Sequence, residues 1–144
     1  MKKIILALIA LMLLGSLLVA DEVTKIKEGE KNSILSGYAE VFDNVTNTWH
    51  PDAGTKITGI NLYNSNGTRV GYIYGANDPV TDGLGQFDCP EDASHFFWFQ
   101  WQDNNGIYHH YNFNDVAYID FTYRGTLFTA NLHDTVHLKF VQGY

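Results

Sequence analysis

Beyond residue 20 no stretch of this chain keeps a helical period for more than one turn. Instead, short runs with apolar side chains at every second position alternate with clusters of Gly, Asn, Asp and Pro. Period two is the spacing of a strand with one face on a core, and the clusters between runs are turn formers. Leu35, Gly37, Ala39 and Val41 make the inward set of a first strand ending at Asp43-Asn44. Residues 44–54 read as loop by composition, and Thr58, Ile60 and Leu62 resume the pattern in a second strand. Asn64-Ser65-Asn66-Gly67 turns the chain into a third strand over residues 69–74. Phe96-Phe97-Trp98-Phe99-Gln100-Trp101 puts large rings on both faces of one strand, and Asp103-Asn104-Asn105-Gly106 returns it into residues 107–113. Ala117, Ile119, Phe121 and Tyr123 alternate again, residues 127–132 form a short strand, and Val136, Leu138 and Phe140 close the pattern. The expectation is an all-β chain: one immunoglobulin-like β-sandwich of seven or eight strands over residues 34–144.

The N-terminus has a different character. Met1-Lys2-Lys3, the apolar run from Ile4 to Val19 and the exit at Ala20-Asp21 are the three parts of a secretory signal peptide, a hydrophobic signal helix over residues 1–20. The run is shorter than the roughly 20 apolar residues of a spanning helix; if retained, it would tether the chain to a membrane. Residues 21–33 carry Glu22, Lys25, Lys27, Glu28, Glu30 and Lys31, with Val23 and Ile26 as their sizeable apolar groups. They read as a charged linker, or as an arm that adds a strand to a neighbouring subunit's sheet. Cleavage at Ala20 removes Lys2 and Lys3, so 9 basic residues become 7 against 16 acidic ones, a formal charge of 7 − 16 = −9. Phosphate binding needs clustered Lys and Arg, so nucleic acid is not an expected partner. The chain is expected to be secreted or displayed at the cell surface. Its single cysteine, Cys89, allows no intramolecular disulfide and reads as a small buried hydrophobe.

Val80-Thr81-Asp82-Gly83-Leu84-Gly85-Gln86-Phe87 is the most distinctive local motif. Asp82 is placed to accept backbone amides two or more residues on, Gly83 and Gly85 suit positive φ, and Phe87 starts a strand that points into a core. Together with Leu35-Ser36-Gly37-Tyr38-Ala39-Glu40-Val41 and Gly59-Ile60-Asn61-Leu62-Tyr63-Asn64-Ser65-Asn66-Gly67, it resembles the carboxypeptidase regulatory-like domains, part of the transthyretin-like (prealbumin-like) sandwiches, over about residues 35–89. The resemblance implies a structural or binding module and not a catalyst. The hydroxyisourate hydrolases share that fold and are similar in having a His-rich strand and a Tyr-Arg-Gly-Ser, here His109-His110 and Tyr123-Arg124-Gly125-Thr126. This chain lacks that family's first-strand histidine and carries Gln86 where the family has an arginine, and 144 − 126 = 18 residues follow Thr126. General acid-base and charge-stabilising roles then have no occupant, and no enzyme is expected. The collagen-adhesin B-type domains tie strands by a Lys-Asn isopeptide bond. The first strand here has no lysine, and a Lys56–Asn131 link beside Glu40 has no motif behind it.

The functional hint is aromatic. Trp49, Trp98, Trp101, Tyr108 and Tyr111, with Tyr118 and Tyr123, exceed what one small core hides, so some rings are expected at the surface for a ligand or an interface. Trp49, in the polar stretch Asn47-Thr48-Trp49-His50-Pro51-Asp52, is the ring expected to be most exposed. No cofactor is expected. His133 and His137 are weak metal candidates, since strand positions four apart lie roughly 13 Å from each other. Asp78, Asp82 and Asp88 surround a Gly-rich loop without a calcium-loop spacing. Asn44 and Asn66 fit the N-glycosylation pattern. The reading is a non-catalytic secreted or cell-surface module with a structural or adhesive role, whose partner is a protein, a glycan or another copy of itself. The alternatives are a carbohydrate-binding accessory domain and a subunit of an extracellular filament, strand-donating or helix-anchored.

Overall fold

A computed structural model describes residues 32–142. The signal segment 1–20 and nearly all of the arm lie outside the described residues. Among them there are eleven strands, and no helix is long and apolar enough to cross a membrane. The strands are β1 (Ser33–Asp43), β2 (Thr48–Pro51), β3 (Ile57–Tyr63), β4 (Arg69–Ile73), β5 (Gln86–Pro90), β6 (Phe96–Trp98), β7 (Gln100–Gln102), β8 (Tyr108–His110), β9 (Tyr118–Tyr123), β10 (Thr126–Asn131) and β11 (Asp134–Val141). β1 begins at Ser33, one residue before the expected domain boundary.

Two sheets face each other in a sandwich-like arrangement. In the first, β1 is the axis: β11 pairs with it in parallel along one edge. Its other edge is divided between β5, opposite Ser33 to Tyr38, and β2, opposite Glu40 to Asp43. The second sheet runs β10-β9-β3-β4-β6, and β7 and β8 form a separate hairpin. The inner faces supply one core: Leu35, Ala39, Phe87, Cys89 and Leu138 from the first sheet, and Ile57, Ile60, Leu62, Ile73, Phe96, Ile119, Phe121 and Tyr123 from the second. Burying each large apolar side chain there contributes roughly 1.5–3 kcal/mol. Alternation along β9 is strict, with Ile119, Phe121 and Tyr123 inward. In β3 it is broken: Ile57 and Ile60, three apart, are both buried, because the register shifts between Thr58 and Asn61, where Gly59 has φ 60°. Thr58, expected inward, is therefore only half-buried.

Eleven strands replace the expected seven or eight, and two of the additional ones have a clear origin. Residues 44–54 are not all loop: Thr48–Pro51 pairs with the far half of β1 although every residue in it is exposed. The aromatic run 96–101 is not one strand. β6 pairs with β4, then Phe99 donates its amide to Val70 and accepts from Tyr111, and the chain leaves the sheet as β7.

The Asp82 turn is present as expected and carries the chain from the second sheet to the first. Asp82 Oδ1 accepts the amides of Leu84 and Gln86, Gly85 N–H donates to the Asp82 carbonyl, and Asp82 N–H donates to that of Gln86. The same hydrogen bonds recur over Asn64–Thr68 and over Asp103–Ile107, with glycine fourth each time at φ 83°, 80° and 83° for Gly67, Gly85 and Gly106. An Asx side chain that caps two amides ahead of a left-handed glycine is thus a local solution this chain uses three times. Gly83 is not in the left-handed region, contrary to expectation. Gly85 has a second constraint, because a Cβ there would lie 2.5 Å from the Ala39 carbonyl oxygen.

Candidate functional site: an aromatic band on the second sheet and its hairpin

The outer face of the second sheet follows from register. Leu62, Gly71 and Trp98 are aligned across β3, β4 and β6 and point inward, so their neighbours Asn61, Tyr72 and Phe97 point outward. Tyr72 stacks on Phe97 at 5.2 Å between ring centroids and meets Phe99 at 6.0 Å and Tyr74 at 6.3 Å. Tyr74 is 44% exposed and Phe97 38%. Arg69 lies over this cluster, its Cζ 4.8 Å from the Tyr72 centroid and 5.3 Å from that of Phe99. Beside the rings runs a polar chain: Arg69 Nε donates to Asn61 Oδ1, Asn61 Nδ2 to Asp120 Oδ1, and the Tyr63 hydroxyl to Asp120 Oδ2, each at 2.9 Å. Tyr63 stacks on Tyr118 at 5.1 Å.

Every second residue from Phe97 to Trp101 is aromatic, and this carries the band onto the hairpin, whose base is the Tyr111-to-Phe99 backbone bond of 3.0 Å. All six hairpin strand residues are exposed. On one side Trp101 stacks on His109 at 4.7 Å, and His109 Nε2 is 2.8 Å from Asp103 Oδ2. That contact is the main cause holding Asp103 below the ordinary carboxylate range. On the other side stand Gln100, His110, Gln102 and Tyr108. An isolated hairpin is marginal in water, and a Trp exposed on one is not there to fill a core.

Among the expected site rings, Trp101 and Tyr111 approach each other at 6.4 Å, with Tyr111 also packed against the core, while Tyr108 stands on the other side of the hairpin. Trp98 faces inward against Phe113 at 4.8 Å and is no surface ligand residue. Trp49 is not on a loop but on β2, on the first sheet, packed edge-on with Phe42 and covered by Lys139 Nζ at 4.4 Å. Tyr72, Tyr74, Phe97 and Phe99 are not among the rings singled out from the sequence, although their spacing of two beside buried Ile73 and Phe96 and half-buried Trp98 is a visible signal. No family model, curated protein or solved structure matches this chain.

Other candidates resolve into structural roles. His133 Nδ1 lies 2.7 Å from the Ser33 carbonyl oxygen, and His137 Nε2 lies 2.5 Å from Glu40 Oε2. Among the described residues no three His, Cys, Asp or Glu side chains gather as a metal set. Asp82 serves its turn and Asp88 accepts from Ser33 Oγ. Cys89 is buried between the sheets, and burial pushes its thiol up to about 12, so it is no nucleophile. His109 and Arg124 do not converge: His109 holds Asp103 on the hairpin, while Arg124 holds Asp52. Glu40 Oε2 lies against His137 Nε2, so the carboxylate of the isopeptide set is engaged there. Asn66 is exposed in its turn; Asn44 is exposed but donates to the Gln142 carbonyl.

One polar cluster is buried and was not foreseen. Asp52, only 3% exposed, accepts from the Tyr123 hydroxyl at 2.5 Å, Arg124 Nε at 2.8 Å, Arg124 Nη2 at 2.9 Å and the Thr55 hydroxyl at 2.8 Å. Arg124's hydrogen bonds are the leading cause that lowers the Asp52 pKa to about 2. All of these partners come from the chain itself, and they tie the β2–β3 loop, which carries Asp52 and Thr55, to Tyr123 of β9 and Arg124 of the β9–β10 turn.

Proposed function

We propose that this chain is an exported, non-catalytic adhesive module that holds surface glycans on the aromatic band. The observation that carries the reading is the β7–β8 hairpin, which presents Trp101 and a row of amide and imidazole groups on a support with no core of its own. Indole and phenyl faces stack on the C–H face of a pyranose, and Asn, Gln and Tyr side chains bond its hydroxyls; no charge cluster is required. The signal-like residues 1–20 support export, and the acidic balance disfavours nucleic acid. The family reading, a transthyretin-like or carboxypeptidase regulatory-like sandwich, draws its support from two sheets packed on one core. The turn that first suggested it recurs at three places and lends it less.

The test is a glycan array probed with the full-length chain in mild detergent. Binding that Trp101→Ala or Phe97→Ala weakens by about tenfold supports the reading, since stacking contributes roughly 1–1.5 kcal/mol per ring. A chain that binds no glycan, or binding indifferent to both substitutions, overturns it.

A further inference from the structure

Arg69 is set unlike Arg124, the other arginine of the described residues. Residues 32–142 hold 4 basic and 12 acidic side chains, a balance of 4 − 12 = −8, so an arginine there has carboxylates to choose from. Arg69 nonetheless forms no ion pair among the described residues; its Nε is held by Asn61, and its Nη1 and Nη2 find no acceptor among them. Asp120, on the same face, spends its two oxygens on Asn61 and Tyr63. The guanidinium is held over Tyr72 and Phe99 and exposed, and its outer edge meets no carboxylate among the described residues. A guanidinium edge is a fork for a planar carboxylate, and rings against it lower the local dielectric that such a pair feels.

Resting on the glycan-binding reading above, we infer that Arg69 is the carboxylate receptor of the aromatic band, and that the glycan it takes carries a uronic-acid-type sugar. The pyranose lies on Phe97 and Tyr74, its carboxylate reaches the Arg69 Nη groups, and its hydroxyls meet Asn61, Asp120 and the Tyr63 hydroxyl. Two features favour a sugar over an acidic peptide. The groups around Arg69 are hydroxyl-bonding ones set beside ring faces, and an excess of eight negative charges repels a densely charged segment while tolerating one carboxylate among neutral units.

The experiment uses matched oligosaccharides, each uronic-acid glycan beside its carboxyl-reduced neutral form, with a Glu-rich peptide as a third probe, all titrated against the full-length chain. The native protein is expected to bind the carboxylated member about 10- to 100-fold more tightly, the range of a charged bidentate hydrogen bond. Arg69→Gln abolishes that preference while leaving the neutral member bound, and Arg69→Lys restores it only in part. Phe97→Ala weakens both members equally. Thermal melting of Arg69→Gln within about 2 °C of native shows that the change is in recognition. Equal binding of both members by the native chain overturns the role of Arg69 and leaves glycan binding standing. A preference that survives Arg69→Gln does the same. Binding of neither member overturns both, and binding of the peptide alone replaces the glycan.

Discussion

Arg124 and Arg69 both belong to the second sheet, each with a ring under its guanidinium, and the contrast between them separates what holds this molecule together from what it offers. Arg124 lies in the two-residue turn between β9 and β10 at φ 48°, a conformation that costs a non-glycine residue roughly 1 kcal/mol. It is kept there by two bonds to one buried carboxylate, with Phe140 at 4.9 Å. Arg69 has unstrained backbone, one bond to an amide oxygen and no carboxylate among the described residues. The strained arginine is held on a buried carboxylate and is structural; the relaxed one meets no carboxylate among the described residues. Such strain persists where surrounding contacts over-determine it, and the Asp52 cluster is that surrounding.

The sharpest way to break the contrast is Asp52→Ala. It leaves the Tyr123 and Thr55 hydroxyls and the Arg124 guanidinium without an acceptor, and is expected to lower stability by about 3 kcal/mol, seen as a fall in melting temperature of about 15 °C. A loss under 1 kcal/mol would make Arg124 no more structural than Arg69. The same carboxylate gives the pH dependence. Its folded pKa of about 2 lies below the ordinary 3.8, so the native state favours the charged form. The stabilisation, about 2 kcal/mol, is complete above about pH 4 and is lost as pH falls through about 2. Urea melts between pH 5 and pH 2 check this: native stability falls by that amount, and Asp52→Asn removes this part of the decline.

Much of the core was legible because alternation and burial are one fact along β9, whereas Ser33 to Gly37 at the start of β1 are all buried. What escaped was pairing without burial. Thr48–Pro51 has no inward face to mark it, and only the far half of β1 makes it a strand. Asp52 sits in a stretch read as loop, and its partners Tyr123 and Arg124 lie 71 and 72 positions away, beyond any local signal. The Asp82 turn is legible as a turn because a five-residue Asx–Gly arrangement, which the chain also forms at Asn64 and Asp103, is dictated by local hydrogen bonding.

The contrast sharpens further when one substitution is made twice. Arg124→Lys replaces a two-bond fork by a single point charge while the left-handed backbone remains, and should cost about 1 kcal/mol. Arg69→Lys, at an exposed site with no ion pair to lose, should change stability by less than about 0.5 kcal/mol. Chemical denaturation of the two variants measures the difference. Equal losses would place both arginines in one class.

Trp101→Ala is expected to act locally and extends the contrast from single residues to whole elements. The hairpin touches the sheets through the Phe99–Tyr111 backbone pair and the partly packed Tyr111 ring, while Trp101 itself stacks on His109. Removing the indole takes away one cross-strand pair, worth roughly 0.2–1 kcal/mol, within an element that opens locally before the core does. The global melting temperature should therefore stay within about 2 °C of native, while hydrogen exchange quickens in the β7 and β8 amides and is unchanged in β3 and β9. Faster exchange throughout the second sheet would mean that the hairpin braces the core, and its exposed tryptophan would then need no ligand to account for it.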